Sequence, residues 1–391
     1  MTGGVLVLAT GRSRGTLAAV RELGETGWRV GFGTPGDPLM VGASRHVGRI
    51  HPVARPRGDG TEFLTSVRQA VTEGRYDLVV GGADDWMAAL AHYRDDIPCV
   101  VPHPSAEVVE RVLDKGSLAG YAHRNGLRAP RTVPATWGEA QRWEGPAIVK
   151  CRSHWRPGQE QELRIEARFC ESREVIEQQI ALIEKAGLDA VIQEPVAGEL
   201  CALIGVVTDG RLTGRVQQRS PRLWPTPCGV SARAVTETVD EDLAARCEGL
   251  LKDVGWTGLV ELQFLRVAAE EDPLLIDFNG RFFGSMGLST AARPGLIDGW
   301  LSMALGRPAP DLEDAPAGVR FAWGAGDVRR ALVERRGGVV ADVWDTWSWS
   351  RGARTGVWSA RDPGPALRLA SGRLRGREGA PQTAPQLSDA R

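Results

Sequence analysis

Only four of the 391 residues are lysine, namely Lys115, Lys150, Lys185 and Lys252, although the chain carries 48 basic residues in all. A coding bias towards arginine explains this, and it makes each remaining lysine informative, since lysine is a compact point charge and arginine a planar fork. Excess charge of one sign is lacking too. The formal net charge is -1, which excludes nucleic acid as an obligatory partner, because a phosphate backbone demands a surplus of Lys and Arg. No apolar run has the length needed to span a bilayer, so no membrane partner is expected. The opening MTGGVLVLATGRSRG has an apolar stretch with no basic residue before it, so it reads as a buried first strand and not as a signal peptide. The 6 cysteines, Cys99, Cys151, Cys170, Cys201, Cys228 and Cys247, include no Cys-x-x-Cys pair. That excludes a zinc ribbon and a thioredoxin-like motif and leaves reduced core thiols in the cytoplasm as the expectation. The 6 histidines show no His-Glu-x-x-His spacing.

What is present is an ordinary globular composition, 42% hydrophobic and 25% charged, in a chain long enough for two or three domains. Val5–Ala9 and Arg29–Phe32 read as strands, Thr16–Thr26 as the helix between them, and Leu78–Val80 as a later strand. This alternation predicts a parallel, doubly wound sheet over residues 1–105. The turn GRSRG is not Gly-x-Gly-x-x-Gly, and no acid ends the second strand, so this Rossmann-like domain is not expected to bind NAD. A helix is predicted over Glu107–Asn125 and another over Glu174–Ala186. Short strands are expected at Pro146–Lys150 and Ala190–Gln193. Ala202–Thr208 and Arg211–Val216 form a hairpin around Asp209-Gly210. The helix Leu243–Val254 precedes two further strands, GLVELQF and LLIDF. The centre is therefore α+β with antiparallel sheets. Beyond Gly306, Trp323, Trp344, Trp347, Trp349 and Trp358 mark a small accessory region with strand character, and the segment from Gly379 onward reads as disordered.

The chemistry concentrates in GLVELQF (Gly258–Phe264) and LLIDFNGR (Leu274–Arg281). Residues two apart on a strand share a face, so Glu261 lies with Gln263 and Asp277 with Asn279. If the strands pair, four oxygen-bearing side chains meet, a set that suits Mg²⁺, and Arg281 is placed to reach a phosphate with its fork. The competing reading is an edge strand with solvated polar residues.

GLVELQF followed by LLIDFNGRFFGS resembles the metal-binding end of the ATP-grasp superfamily, above all its carboxylate–amine ligases and the ATP-binding lobes of carbamoyl phosphate synthetase. The family pattern has Glu where Asp277 stands and Pro where Gly280 stands. Carried over, Gln263, Asp277 and Asn279, with Glu261 beside them, fall on the magnesium ligands and Arg281 on a phosphate-contacting catalytic arginine. Asp114-Lys115 ahead of GLRAPRT, and AIVKC ending near Lys150, resemble the nucleotide-lysine segments. QEPVAGE resembles the hinge under adenine, with Glu194 and the Val196 backbone as base contacts and Glu199 as a ribose contact. Gln218-Arg219, with Pro225 and Gly229, resembles the basic strand and its loop, which puts Arg219 among the catalytic residues. CRSHWRPGQEQEL replaces a glycine-rich phosphate loop, with Gly158 as its only glycine. Arg152, Ser153, His154 and Arg156 there either supply side-chain donors or form an ordinary polar loop. The segment RFFGSMGLS follows the metal site as in the family.

The resemblance implies an α/β plus α+β fold: a Rossmann-like pre-ATP-grasp domain (1–105), a two-lobed ATP-grasp domain (106–192 and 193–310, the second with the metal site), a Trp-rich C-terminal accessory region (311–378) and a tail (379–391). It implies an enzyme using ATP and Mg²⁺, with Mn²⁺ able to substitute. Such an enzyme joins a small-molecule carboxylate to an amine, amino acids or peptides being the natural candidates, through an acyl phosphate, and releases ADP and phosphate. Arg219, Arg222, Arg293 and the Trp224 loop are candidate carboxylate contacts, and a homodimer is compatible with the reading. The alternatives are a non-catalytic ATP-binding or regulatory module and a phosphotransferase on the same fold.

Overall fold

The computed structural model describes residues 3–159, 165–226, 229–268, 271–308, 312–335 and 338–374. The tail expected to be disordered, Cys228 and residues 160–163 of the segment CRSHWRPGQEQEL lie outside them. Strands β1 (Gly4–Leu8), β2 (Arg29–Thr34), β3 (Val47–Pro52) and β4 (Leu78–Gly81) form a parallel sheet in the order β3-β2-β1-β4. Every residue of β1 is buried, as a central parallel strand covered on both faces by helices must be. The helix Arg14–Glu25 starts directly after β1, where Ser13 caps it by accepting the Thr16 N–H.

A second sheet, β5 (Thr132–Pro134), β6 (Ala147–Cys151), β7 (Arg168–Cys170) and β8 (Ala190–Gln193), runs β5-β8-β6-β7 with antiparallel pairing. The helix Arg173–Lys185 buries Ile176, Ile180 and Ile183 within this lobe's core, a helical spacing that presents one apolar stripe. The third sheet holds β9 (Glu199–Thr208), β10 (Arg211–Trp224), β11 (Val230–Glu237), β12 (Gly258–Arg266), β13 (Leu274–Asn279), β14 (Arg320–Ala322) and β15 (Arg354–Thr355). Its order is β13-β12-β9-β10-β11-β14-β15. The β9–β10 hairpin turns at Asp209 and Gly210, both with positive φ (50° and 75°), as the right-handed twist of a two-residue turn requires.

Two expectations change. The single helix over Glu107–Asn125 is two helices, Ala106–Leu113 and Lys115–Arg124, broken at Asp114. Asp114 is extended (ψ 96°), and its side chain accepts the Gly116 N–H, so a capping carboxylate restarts the helix and places Lys115 in its first turn. The Trp-rich region is mainly helical, Gly324–Glu334 and Val339–Ser350, with β14 and β15 as its only strands among the described residues. Asp342 and Thr346, four residues apart, face inward, and Asp342 accepts from Arg330 (3.0 Å). The cysteines Cys99, Cys151, Cys170, Cys201 and Cys247 are free thiols, all but Cys99 buried. No helix among the described residues is long and apolar enough to cross a membrane.

Between the Arg14–Glu25 helix and the helix Leu296–Ala304 sits Glu22, whose Oε1 accepts the Ile297 and Asp298 N–H groups (2.7 and 3.3 Å). Burial outweighs these bonds and pushes its pKa up from 4.5 to about 7. The stability conferred by the neutral group is fully present below about pH 4.5 and is lost as the pH rises through about 7. Glu22→Gln should therefore flatten the fall in unfolding free energy from pH 5 to 8, by up to about 3 kcal/mol. Parallel denaturation curves for both proteins across that range would show Glu22 titrating as an ordinary exposed acid.

Candidate active site

A cleft of about 1160 Å³ opens where the three sheets meet. One wall is β12 against β13. Their antiparallel register sets Glu261 opposite Asn279 and Gln263 opposite Asp277, so the four oxygen-bearing side chains do meet. All four line the cleft. Glu261 is buried (1% exposed) and its Oε2 accepts from both Gln263 Nε2 and Asn279 Nδ2 (2.9 Å each). With both amide NH₂ groups turned to Glu261, neither amide oxygen takes a hydrogen bond from a described residue. Burial pushes the Glu261 carboxyl up to about 7, against the pull of Arg281. Nearby, Gln218 donates to Ser285 (2.9 Å), while its own buried Oε1 has no partner.

Both sequence-predicted nucleotide lysines converge on β13. Lys115 Nζ pairs with Asp277, and Lys150 Nζ donates to the Ile276 carbonyl (3.2 Å). Burial opposes ionisation of Asp277, but Lys115 and Lys150 more than offset it and hold the carboxyl below its usual range. Lys150 reaches this position from the end of β6, and Lys115 from the helix that Asp114 restarts. Arg152 locks that restart with a fork on Asp114 (2.7 and 2.8 Å).

The hinge lines the same cleft through Glu194, Val196 and Gly198, beside the apolar side chains of Ile148, Leu265 and Ile276. Glu194 is exposed at the rim, with its Oε2 accepting the Arg131 N–H (3.2 Å). The structure does not bring Glu199 and Arg219 there. Arg219 pairs with Glu199 (3.2 Å) and Glu237 (3.1 Å) in a smaller groove that shares Gly198 with the cleft. Arg222 is held by Asp327 and Asp345 of the C-terminal helices, so it and Arg293 also lie off the cleft wall. In the loop after β6, His154 faces the cleft, whereas Arg156 is tied to Gly187 and Asp189.

Sequence reasoning missed Asp84. It stands at the start of the helix Asp84–His92 and takes the Arg281 fork (2.8 and 3.3 Å), both partners being buried. Arg281 thus lines the cleft but is anchored to the N-terminal sheet's own helix. The only sequence signal, two acids opening a helix in GGADDW, also fits ordinary helix-dipole chemistry. Gly280, where the resembled pattern has Pro, lies under Trp256: a Cβ there would be 2.1 Å from the indole. The Trp256 ring is buried and cannot move aside cheaply.

A magnesium ion fits this donor set. Two carboxylates and two amide oxygens, all hard ligands, face one cleft, and Mg²⁺ commonly takes one or two carboxylates with phosphate and water completing the shell. No group of three His, Cys, Asp or Glu side chains that could hold a metal ion occurs among the described residues.

No protein-family model matches the chain, and no curated protein matches its sequence. Solved structures do match. An L-amino acid ligase from Bacillus licheniformis is 14% identical with a TM-score of 0.58, covering 78% of this chain and 74% of that one. The biotin carboxylase domain of Hydrogenobacter thermophilus 2-oxoglutarate carboxylase, solved with MgADP, ADP and bicarbonate, is 13% identical with a TM-score of 0.61 over 82% and 73%. N5-carboxyaminoimidazole synthetase from Staphylococcus aureus, complexed with ADP, is 11% identical with a TM-score of 0.61 over 86% and 85%. At these identities the likeness is one of fold alone, shared with an amino acid ligase, a biotin carboxylase domain and a carboxyaminoimidazole synthetase.

The Asp84–Arg281 pair yields a stability test. Asp84→Ala leaves a buried guanidinium without its counter-ion and should cost about 3–5 kcal/mol. Adding Arg281→Met should recover much of that loss in denaturant unfolding. Additive losses in the double variant would mean the two groups are not energetically coupled.

Proposed function

We propose that this protein is an ATP- and Mg²⁺-dependent ligase that joins a carboxylate to an amine through an acyl phosphate and releases ADP and phosphate. One observation carries the reading: two of the chain's rare lysines converge on β13, Lys115 at Asp277 and Lys150 at the Ile276 carbonyl, opposite Gln263 in a cleft that the segment Glu194–Gly198 also lines. The fold likeness to an L-amino acid ligase, and to a biotin carboxylase domain and a synthetase solved with ADP, supports it.

In this reading the hinge holds the adenine. The Val196 backbone meets the ring edge, Glu194 accepts from the amino group, and Ile148, Leu265 and Ile276 supply an apolar slot. Lys115 and Lys150 hold the phosphates. In the ligand-free cleft Lys115 neutralises Asp277, so that carboxylate is kept ionised and ready. Asp277, Asn279, Gln263 and Glu261 would hold Mg²⁺, which neutralises charge across the phosphates when bound. Arg281, kept in place by Asp84, presents positive charge to the transferring group. No side-chain nucleophile is needed, since the substrate carboxylate attacks the γ-phosphate and the amine then displaces phosphate. Amino acids and short peptides are the first substrates to screen.

ADP release should require both a carboxylate and an amine, with an amide as the product by mass. Asp277→Ala should lower that turnover by about 100-fold or more. A phosphate ester as the only product would favour the phosphotransferase reading. Nucleotide binding without turnover on any pair would favour the regulatory module.

A further inference from the structure

The GRSRG turn after β1, which fits no dinucleotide fingerprint, lies against the same cleft. Arg12, Ser13, Arg14 and Gly15 all line it. Gly15 is required there: a Cβ would fall 2.3 Å from the Phe283 carbonyl oxygen, so the helix start packs directly on the turn that follows Arg281. Ser13 Oγ accepts from the Thr16 N–H (3.2 Å) and the Thr16 hydroxyl (2.8 Å), which leaves its own proton to donate.

Arg14 is the unusual member. It is partly buried, and its Nε is shielded from solvent without a hydrogen-bond partner. Its guanidinium lies 3.6 Å from the ring centre of Trp323, and no acid among the described residues pairs with it. Burial, and then the nearby Arg329, pull its pKa down to about 10, so it stays charged at neutral pH. Other arginines of this region are compensated: Arg222, Arg233 and Arg330 each reach Asp327, and Arg330 also reaches Asp342. A desolvated cation without a counter-ion is costly to keep unless something supplies the missing charge. A helix start adds unpaired backbone N–H groups and the positive end of its dipole at the same point.

We infer that Arg14, with Ser13, Arg12 and the first turn of the Arg14–Glu25 helix, receives an oxyanion of the substrate other than the carboxylate being activated. The substrate class is then an acid bearing a second carboxylate or a phosphate. This rests on the ligase reading for the identity of the cleft, and it adds Trp323, from the C-terminal region, as the platform that orients the guanidinium.

The test is calorimetric titration of the full chain, first saturated with a non-hydrolysable ATP analogue and Mg²⁺ so that the nucleotide-phosphate positions are filled. Succinate, O-phosphoserine and alanine serve as probes. One of the two dianions should bind at least about tenfold more tightly than alanine, and which one does so tells carboxylate from phosphate. Arg14→Gln should weaken that dianion by about 10- to 100-fold, with Arg14→Lys intermediate and the affinity for the ATP analogue unchanged. Without ligand, Arg14→Gln should melt no lower than the native chain, because it removes an uncompensated charge. A native chain that prefers neither dianion, or an Arg14→Gln variant that binds dianions normally, overturns the inference. So does a variant that melts several degrees lower, since Arg14 would then be a strut on Trp323. If the analogue itself fails to bind, the ligase reading falls, and titration without it still tests Arg14.

Discussion

The pairing of β12 with β13 is the constraint on which the site depends. With Gln263 opposite Asp277 and Glu261 opposite Asn279, all four polar side chains face the cleft. A slip of one residue would turn one strand's set to the other face and replace it with apolar side chains. The same register fixes the Ile276 carbonyl that Lys150 finds and the Asp277 carboxylate that Lys115 finds. Each of these contacts joins segments far apart in sequence, so strand register, more than any one side chain, determines where positive and negative charge meet.

That arrangement also accounts for the charge state of the site. Glu261 and Asp277 stand on neighbouring strands, yet they are pushed in opposite directions. Glu261, surrounded by amides and a buried serine, is raised to about 7, whereas Asp277, with two lysines against it, is lowered. Packing and counter-ions divide two similar acids into one that holds its proton near neutrality and one that stays charged.

The polar pairs on β12 and β13 were legible in the sequence because strand periodicity is strict. The lysines were legible because arginine is used nearly everywhere else. Asp84 was not, since its partner lies 197 residues away and nothing local separates it from an acid favouring a helix start. Glu199 was placed by pattern at the end of the hinge and Arg219 in the basic strand, where the pattern could not specify which face each side chain takes, and they form an ion pair beside the cleft. The Trp-rich segment VVADVWDTWSWS reads as strand from its β-branched and aromatic content. Its helix is inverted in polarity: Asp342 and Thr346 are buried among arginines, while Trp344 and Trp347 are 65% and 50% exposed. Periodicity of apolar residues cannot find a helix that buries its polar face.

The contact between Gly280 and Trp256 has a consequence for how this chain can diverge. An indole occupies the space that any side chain at 280 would need, so the two positions are not free to change independently. A smaller residue at 256 has to come first, and it opens a void beside the end of β13 until 280 fills it. Exchange to the proline usual in the resembled pattern is therefore a two-step path through a less well packed intermediate. In evolutionary terms the site is held to glycine by the order in which substitutions can be made, independently of any role for glycine in the chemistry.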